Sequence, residues 1–139
     1  MSRFLSLPLT LIPLALYNLT AFGFFGSPAG DPWFQPMLTL ELVSGARFSL
    51  VSGDLMILCG LVVLFLEILK ATRTGTAALS DHILSMMVFA VYLVEFLTVP
   101  QAASSVFFIL TVIAMIDVIA GFTVSLTGAR RDISLDGRD

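Results

Sequence analysis

The chain alternates long apolar runs with short polar breaks. Four runs stand out, at about 4–25, 54–70, 82–99 and 104–126. A helix needs about 20 predominantly apolar residues to cross the hydrocarbon core of a bilayer. The pattern therefore predicts an all-α integral membrane protein, with a single four-helix transmembrane domain over residues 1–127 and a polar cytoplasmic tail at 128–139.

Local signals refine these four predicted helices. Asp54 and Asp81 stand at the starts of the second and third runs, where a carboxylate meets the positive end of the helix dipole. Pro100 marks a tight turn, so the last two helices are predicted to be antiparallel neighbours. Pro8 and Pro13 predict a kink in the first helix, because proline removes a backbone donor.

The first run also resembles a secretory signal, because Arg3 precedes it and Ser27-Pro28-Ala29 follows it. Its apolar stretch is roughly 20 residues long, whereas the apolar core of a signal peptide has about 7–15 residues. We therefore expect an uncleaved first span.

The basic residues predict the orientation. Those on one side are Arg3, Lys70, Arg73, Arg130 and Arg131, and the other side carries Arg47. Because cytoplasmic loops are enriched in Lys and Arg, both termini are predicted to be cytoplasmic. The segment 26–53 then forms an extracytoplasmic loop between the first two helices.

That loop carries an alternating pattern over residues 36–52. Apolar residues at 38, 40, 42, 48 and 50 alternate with polar ones, and Ser44-Gly45-Ala46 separates the two stretches. This pattern favours a β-hairpin with a three-residue loop. The alternative is a short interfacial helix that begins at Pro36 and is capped by Gly45.

Composition supports the membrane assignment. Of the 139 residues, 58% are hydrophobic and 12% are charged, whereas soluble domains average about 45–50% apolar and about 25% charged residues. No basic arm is present, so we expect no nucleic-acid partner. With one histidine, His82, and one cysteine, Cys59, we expect neither a metal site nor a cofactor. We also expect no enzymatic activity, because the sequence offers no activated nucleophile.

Three carboxylates interrupt the apolar runs: Glu67, Glu95 and Asp117. A charge in hydrocarbon costs several kcal/mol, so it usually faces the bundle interior and often marks an ion or proton path. Glu67 and Asp117 both lie roughly 20 Å from the outer ends of their helices, where they can share a proton or flank a cation. Alternatively, Glu67 pairs with Lys70 and reaches toward the cytoplasm.

A polar stripe follows one face of the third predicted helix, with Asp81, Ser85, Tyr92 and Glu95 on one line. It indicates either a water-filled path or a polar helix contact. His82 is predicted to be an interfacial side chain.

Small residues mark two faces for close helix packing. Gly53 and Gly60 share a face with Glu67 on the second predicted helix, and Ala114, Ala120 and Gly121 lie beside Asp117 on the fourth.

The layout resembles the small four-span proteins of bacterial inner membranes, through the segment from Gly53 to Lys70, the start at Asp81 to Ser85 and the run from Asp117 to Phe122. The resemblance implies location in the cell inner (plasma) membrane and no particular activity.

Three functions remain open, and the last of them, a module that binds lipid or another hydrophobic ligand, follows only from the general apolarity of the chain. The first is an oligomeric proton or cation conductor that uses Asp117, Glu67, Glu95, Tyr92 and Ser85. The alternative is a non-catalytic accessory subunit of a larger membrane protein complex. Four helices are too few to enclose a wide pore, so beyond the lipid bilayer we expect a homo-oligomer or a larger assembly as partner.

Overall fold

The protein is mostly helical, with one small β-hairpin. The structure is a computed structural model that describes residues 7–26, 30–72 and 76–136, with side chains left out of the description at 76–78, 125 and 127–136. Its elements are α1 (Leu11–Ala21), β1 (Pro36–Glu41), β2 (Arg47–Val51), α2 (Ser52–Ala71), α3 (Thr76–Thr98) and α4 (Ser105–Asp136), with 3₁₀ turns at Pro32–Phe34 and Pro100–Ala102.

Three helices are long and apolar enough to cross a membrane: α2, residues 79–98 of α3 and residues 105–124 of α4. Each stretch has 20 residues, which corresponds to about 30 Å at about 1.5 Å per residue. The bounds of α2 match the predicted run within two residues. By contrast, α4 continues past the predicted end at residue 126 to Asp136, through the predicted polar tail. The last residues of that tail, 137–139, lie outside the described residues.

The prediction of one continuous helix over 4–25 is wrong within the described residues. The helix there is α1, with 11 residues, or about 16 Å. Before it, Pro8 and Leu9 accept 3₁₀-type hydrogen bonds from Leu11 and Ile12 at 3.2 and 3.0 Å. After it, Gly23 adopts φ 82°, a left-handed conformation that ends helices. Arg3, Ser27-Pro28-Ala29 and Arg73 lie outside the described residues, as do the side chains of Arg130 and Arg131.

The three long helices form an up-and-down arrangement in which α4 packs against both α2 and α3. Gly53 of α2 faces Val106 of α4, and Gly60 faces Leu110 and Ile113, so α2 and α4 run parallel. A Cβ atom built on Gly60 would lie 2.8 Å from Leu110 Cδ2. Glycine is therefore what allows the two helices to approach this closely.

The other predicted small residues belong to α4. Ala114 is 2% exposed, and Ala120 is half-buried. A Cβ atom on Gly121 would lie 3.5 Å from His82 Nδ1 and 3.8 Å from the Ala71 side chain. Gly121 therefore leaves ordinary van der Waals space at the contact of α4 with the end of α2 and the start of α3.

The exterior of the three long helices is apolar, unlike that of a soluble protein. Large apolar side chains on α2, α3 and α4 are exposed, such as Val62 at 60%, Val94 at 59% and Ile119 at 57%. Beside the apolar core, several charged and polar side chains are buried as well: Thr10, Glu67, Lys70, Ser85, Thr111 and Asp117. Soluble proteins almost never bury charges fully unless they are paired, and apolar patches of this extent mark contact with a membrane or a partner. Together with the helix lengths, this suggests a membrane protein.

The hairpin prediction for residues 36–52 is confirmed. Strands β1 and β2 are antiparallel, with Leu38 opposite Leu50 and Leu40 opposite Phe48. The backbone N–H of Leu42 donates to the carbonyl of Ala46 at 2.8 Å, which closes a loop at 43–45, one residue earlier than predicted. Gly45 adopts φ 85° there, as the last residue of a three-residue hairpin loop requires.

Candidate functional site: a buried charge cluster between three helices

The inward face of α2 ends in an acid and a base. Residues 53, 60 and 67 follow a seven-residue spacing, which keeps them on the face that packs against α4. The same face carries Glu67 and, one turn later, Lys70, which are 2% and 7% exposed. Both charges are therefore inside the bundle, and the alternative in which Glu67 and Lys70 reach out together toward water is wrong.

The Lys70 ammonium uses all three of its donors. It lies 3.0 Å from Glu67 Oε1 and 3.4 Å from Asp81 Oδ1 of α3. Its third contact is the carbonyl oxygen of Leu7, at 2.8 Å. An ammonium has three N–H groups, so this buried base is fully satisfied by the protein.

Side chains of α2 and α3 also hold the non-helical segment 7–10 in front of α1. The backbone N–H of Leu9 donates to Glu67 Oε1 at 2.6 Å, and the Tyr92 hydroxyl donates to the Thr10 carbonyl at 2.6 Å. Backbone groups outside regular structure need such partners when they are buried. The ion pair of Glu67 and Lys70 therefore fixes the position of segment 7–10 against α2.

Asp117 is bound differently. It is 4% exposed, and its carboxylate faces the Ser85 hydroxyl of α3. Its Oδ2 atom is buried and has no hydrogen-bond partner among the described residues. Glu67, Lys70 and Asp81 are its electrostatic neighbours. Within the cluster, Asp117 is therefore the residue with a buried oxygen that is free to accept a hydrogen bond or a proton.

These groups line one small polar cavity of about 10 Å³. Its lining residues are Glu67, Lys70, Ala71, Asp81, His82, Ser85, Asp117 and Gly121. That volume is about the minimum for a single water molecule. Among the described residues no group of three or more His, Cys, Asp or Glu side chains is arranged to hold a metal ion.

One residue of the cavity differs from its prediction. Asp81 does not lie in the first turn of its helix, because α3 begins at Thr76; its carboxylate pairs with Lys70 instead. His82 lines the cavity and stacks on Phe122, with ring centroids 5.4 Å apart. The short connection between Ala71 and Thr76 is the sequence signal for the contact of Asp81 with Lys70, since it brings the start of α3 back to the end of α2.

The remaining stripe residues lie farther along α3. Tyr92 is 1% exposed and faces inward, and Glu95 accepts a hydrogen bond from Asn18 Nδ2 at 3.3 Å. Ten residues separate Ser85 from Glu95, which is about 15 Å of helix. Buried Val88 and Phe107 belong to the apolar core in this region. The structure therefore brings Glu67, Ser85 and Asp117 together and leaves Glu95 apart.

The comparisons with known proteins add no relative. No protein-family model, no curated protein and no solved structure matches the chain.

Proposed function

We propose that this chain is an integral membrane protein that carries protons, with Asp117 as the group that takes up and releases the proton. One observation carries the proposal: the buried Oδ2 atom of Asp117 has no partner among the described residues, although it lies in a cavity with two other carboxylates and one ammonium. Buried ionisable groups within membrane helices commonly belong to ion or proton paths.

Membrane insertion is supported by the three long apolar helices and their apolar exterior. The chain from Leu7 to Gly26 runs antiparallel to α2. Leu9 contacts Glu67 near the end of α2, whereas Tyr17 contacts Gln101 just before α4, at the end of the bundle where α2 begins. The start of α1 and the end of α2 therefore lie at one end of the bundle. The positive-inside rule assigns that end to the cytoplasm, and we place the protein in the inner membrane.

A proton fits the cavity better than a metal cation does. The cavity has room for about one water molecule, whereas Na⁺ or Ca²⁺ needs several oxygen ligands around it. The Lys70 ammonium also repels a cation at this position. By charge count, the three carboxylates Glu67, Asp81 and Asp117 exceed one ammonium, and a proton on Asp117 reduces that imbalance without requiring more space.

One copy of the chain offers only part of a path. The cluster lies toward the cytoplasmic end, whereas Glu95 and Asn18 lie toward the other end. Buried apolar side chains, including Val88, Phe107 and Leu110, pack between them. We propose that an assembly of several copies, or a larger complex, completes the route past this apolar layer.

The test is proton flux into liposomes that contain the purified protein and a trapped pH-sensitive dye. A pH gradient should dissipate faster with the wild-type protein than in empty liposomes, and Asp117→Asn should remove the difference. Asp54→Asn is the matched control, because Asp54 caps the first turn of α2 through the backbone N–H of Val51 at 3.1 Å. Unchanged flux in Asp117→Asn, or no flux from any assembly of the wild-type protein, rejects proton conduction through this site.

The hairpin favours a second candidate function, that of an accessory subunit. One face of the hairpin is apolar and exposed, with Leu38 at 43%, Leu40 at 49% and Phe48 at 40%. A protein partner is one way to cover such a face. Under this function, affinity purification from native membranes recovers a stoichiometric partner and the isolated chain conducts nothing; recovery of the chain alone argues against it.

A further inference from the structure

A large apolar cavity lies at the opposite end of the bundle from the charge cluster, between α1, the hairpin and the start of α2. Its volume is about 450 Å³, and ligand sites in proteins measure about 300–1,000 Å³. Its walls include Leu16, Trp33, Met37, Leu55, Met56 and Cys59. Thr20, Gln35 and Ser52 supply polar groups, and no charged side chain stands among the described residues that line the cavity.

Packing and hydrogen bonds hold the wall of the cavity around Trp33. Trp33 is 6% exposed and stacks on Tyr17 with ring centroids 4.4 Å apart. Its backbone N–H donates to Asp31 Oδ1 at 2.9 Å, and the Ser52 hydroxyl donates to the Pro32 carbonyl. These contacts hold the 3₁₀ turn against the start of α2, so the cavity is built into the fold.

The course of α1 explains why the space is open. At its start, the chain is tied to α2 through Leu9 and Glu67. At its other end, Tyr17 bonds to the turn between α3 and α4, through the Gln101 carbonyl at 2.8 Å and Ser104 Oγ at 2.6 Å. This end of α1 is therefore held toward α4, and a wedge between α1 and the start of α2 is left unfilled.

We propose that this cavity binds one acyl chain of a membrane phospholipid. An uncharged, largely apolar lining favours a hydrocarbon chain over a charged or strongly polar ligand. The cavity is open at one side, and its wall residues Leu16 and Leu55 are themselves 36% and 38% exposed, so the interior is continuous with the apolar exterior of α1 and α2. A chain that enters from the surrounding bilayer crosses no polar barrier. The proposal rests on the membrane insertion proposed above, and not on proton transport.

The sequence supplies a specific probe for this site. Trp33 is the chain's one tryptophan and Cys59 its one cysteine, and both line the cavity. In vesicles of phosphatidylcholine with dibrominated acyl chains, a chain seated in the cavity brings bromine next to the indole and quenches its fluorescence. We expect strong quenching of Trp33 relative to vesicles of the unbrominated lipid.

The variant Cys59→Phe fills the cavity from the α2 wall. We expect it to reduce the quenching at least twofold, while Val62→Phe, a substitution of a 60% exposed residue on the same helix, leaves it unchanged. If Cys59→Phe does not fold, as judged by circular dichroism and elution volume, Thr20→Phe fills the cavity from α1. Equal quenching in all variants, or none in the wild-type protein, overturns a chain bound in the cavity.

The outcomes separate this site from proton transport. Asp117→Asn should leave the quenching of Trp33 unchanged, and Cys59→Phe should leave proton flux unchanged. Protein that fails to float with the vesicles contradicts membrane insertion itself. Protein that floats and conducts protons, but whose Trp33 is insensitive to brominated chains, contradicts the lipid site alone.

Discussion

Replacing Lys70 by methionine tests whether the buried cluster depends on its single ammonium. Methionine has a similar length and an apolar stem, so Lys70→Met removes the charge while leaving most of the volume. The substitution breaks three contacts at once: those to Glu67 at 3.0 Å, to Asp81 at 3.4 Å and to the Leu7 carbonyl at 2.8 Å.

The expected loss is large because the partners stay buried. Removing one member of a buried ion pair costs about 3–5 kcal/mol, since the other member is left without compensation. Here Glu67 is 2% exposed and retains the N–H of Leu9 as a partner, which offsets part of the loss. Half-buried Asp81 reaches water more easily. We therefore expect Lys70→Met to lower the free energy of unfolding by about 3 kcal/mol, the lower end of that range.

The assay is reversible unfolding in mixed micelles with increasing sodium dodecyl sulfate, followed by the fluorescence of Trp33. Trp33 lies at the other end of the bundle, so changes at Lys70 do not alter the probe directly. Leu69→Met is the control: Leu69 is 50% exposed on the same helix, and surface substitutions usually change stability by less than about 0.5 kcal/mol.

A double-mutant cycle with Glu67→Gln isolates the pair itself. If the two charges compensate each other, the double variant loses less stability than the sum of the single losses, by about 0.5–3 kcal/mol. A loss of under about 1 kcal/mol for Lys70→Met, with no coupling to Glu67→Gln, refutes the buried pair and favours a lysine that reaches water.

Two further changes test the packing around the cluster. Gly60→Ala should destabilise the protein by about 1–3 kcal/mol, because its Cβ would lie 2.8 Å from Leu110 Cδ2; Gly121→Ala, whose Cβ meets nothing closer than 3.5 Å, should be neutral or stabilising by up to about 1 kcal/mol. The same unfolding assay decides, and equal losses would show that the α2–α4 distance is not fixed at Gly60. Tyr92→Phe should cost about 1–3 kcal/mol, because the Thr10 carbonyl loses its hydroxyl donor; Phe65→Leu at a 61% exposed position is the control, and a Tyr92 loss no larger than that of Phe65 would contradict the reasoning.

The long helices could be predicted because their signal is local. An unbroken apolar run of about 20 residues has few alternatives to a helix, and α2 follows its predicted run closely. The hairpin was predictable because apolar and polar residues alternate on both sides of Gly45. This two-residue period differs from the period of a helix. In both cases neighbouring residues carry the information.

The first apolar run shows where hydropathy fails. Apolar composition is the same in a helix and in an irregular apolar segment, so the run alone did not indicate where helical hydrogen bonding starts. Pro8 and Gly23 were the local signals. Pro8 alone predicts only a kink, and the non-helical segment before Leu11 depends on bonds from Glu67 and Lys70, which are distant in sequence.

Part of the charge cluster was also predictable, because the depth of a residue along its own helix is local information. Counting helical rise placed Glu67 and Asp117 at one depth, which holds because α2 and α4 are parallel and both start at the same end. The pairing of Asp81 with Lys70 depends on where α3 begins. That start is at Thr76, five residues before the acid that was expected to cap it.

The contacts of the cluster divide its residues between two tasks. Glu67 Oε1 and the three donors of Lys70 are engaged with each other, with Asp81 and with the segment that leads into α1. Asp117 keeps one buried oxygen without a partner among the described residues. Neutralising Glu67 should therefore lower stability, whereas Asp117→Asn, which preserves shape and removes an uncompensated charge, should leave stability equal or higher. If the variants of Glu67 lose stability while Asp117→Asn loses only proton flux, the anchoring and proton-carrying roles belong to different residues of one cavity.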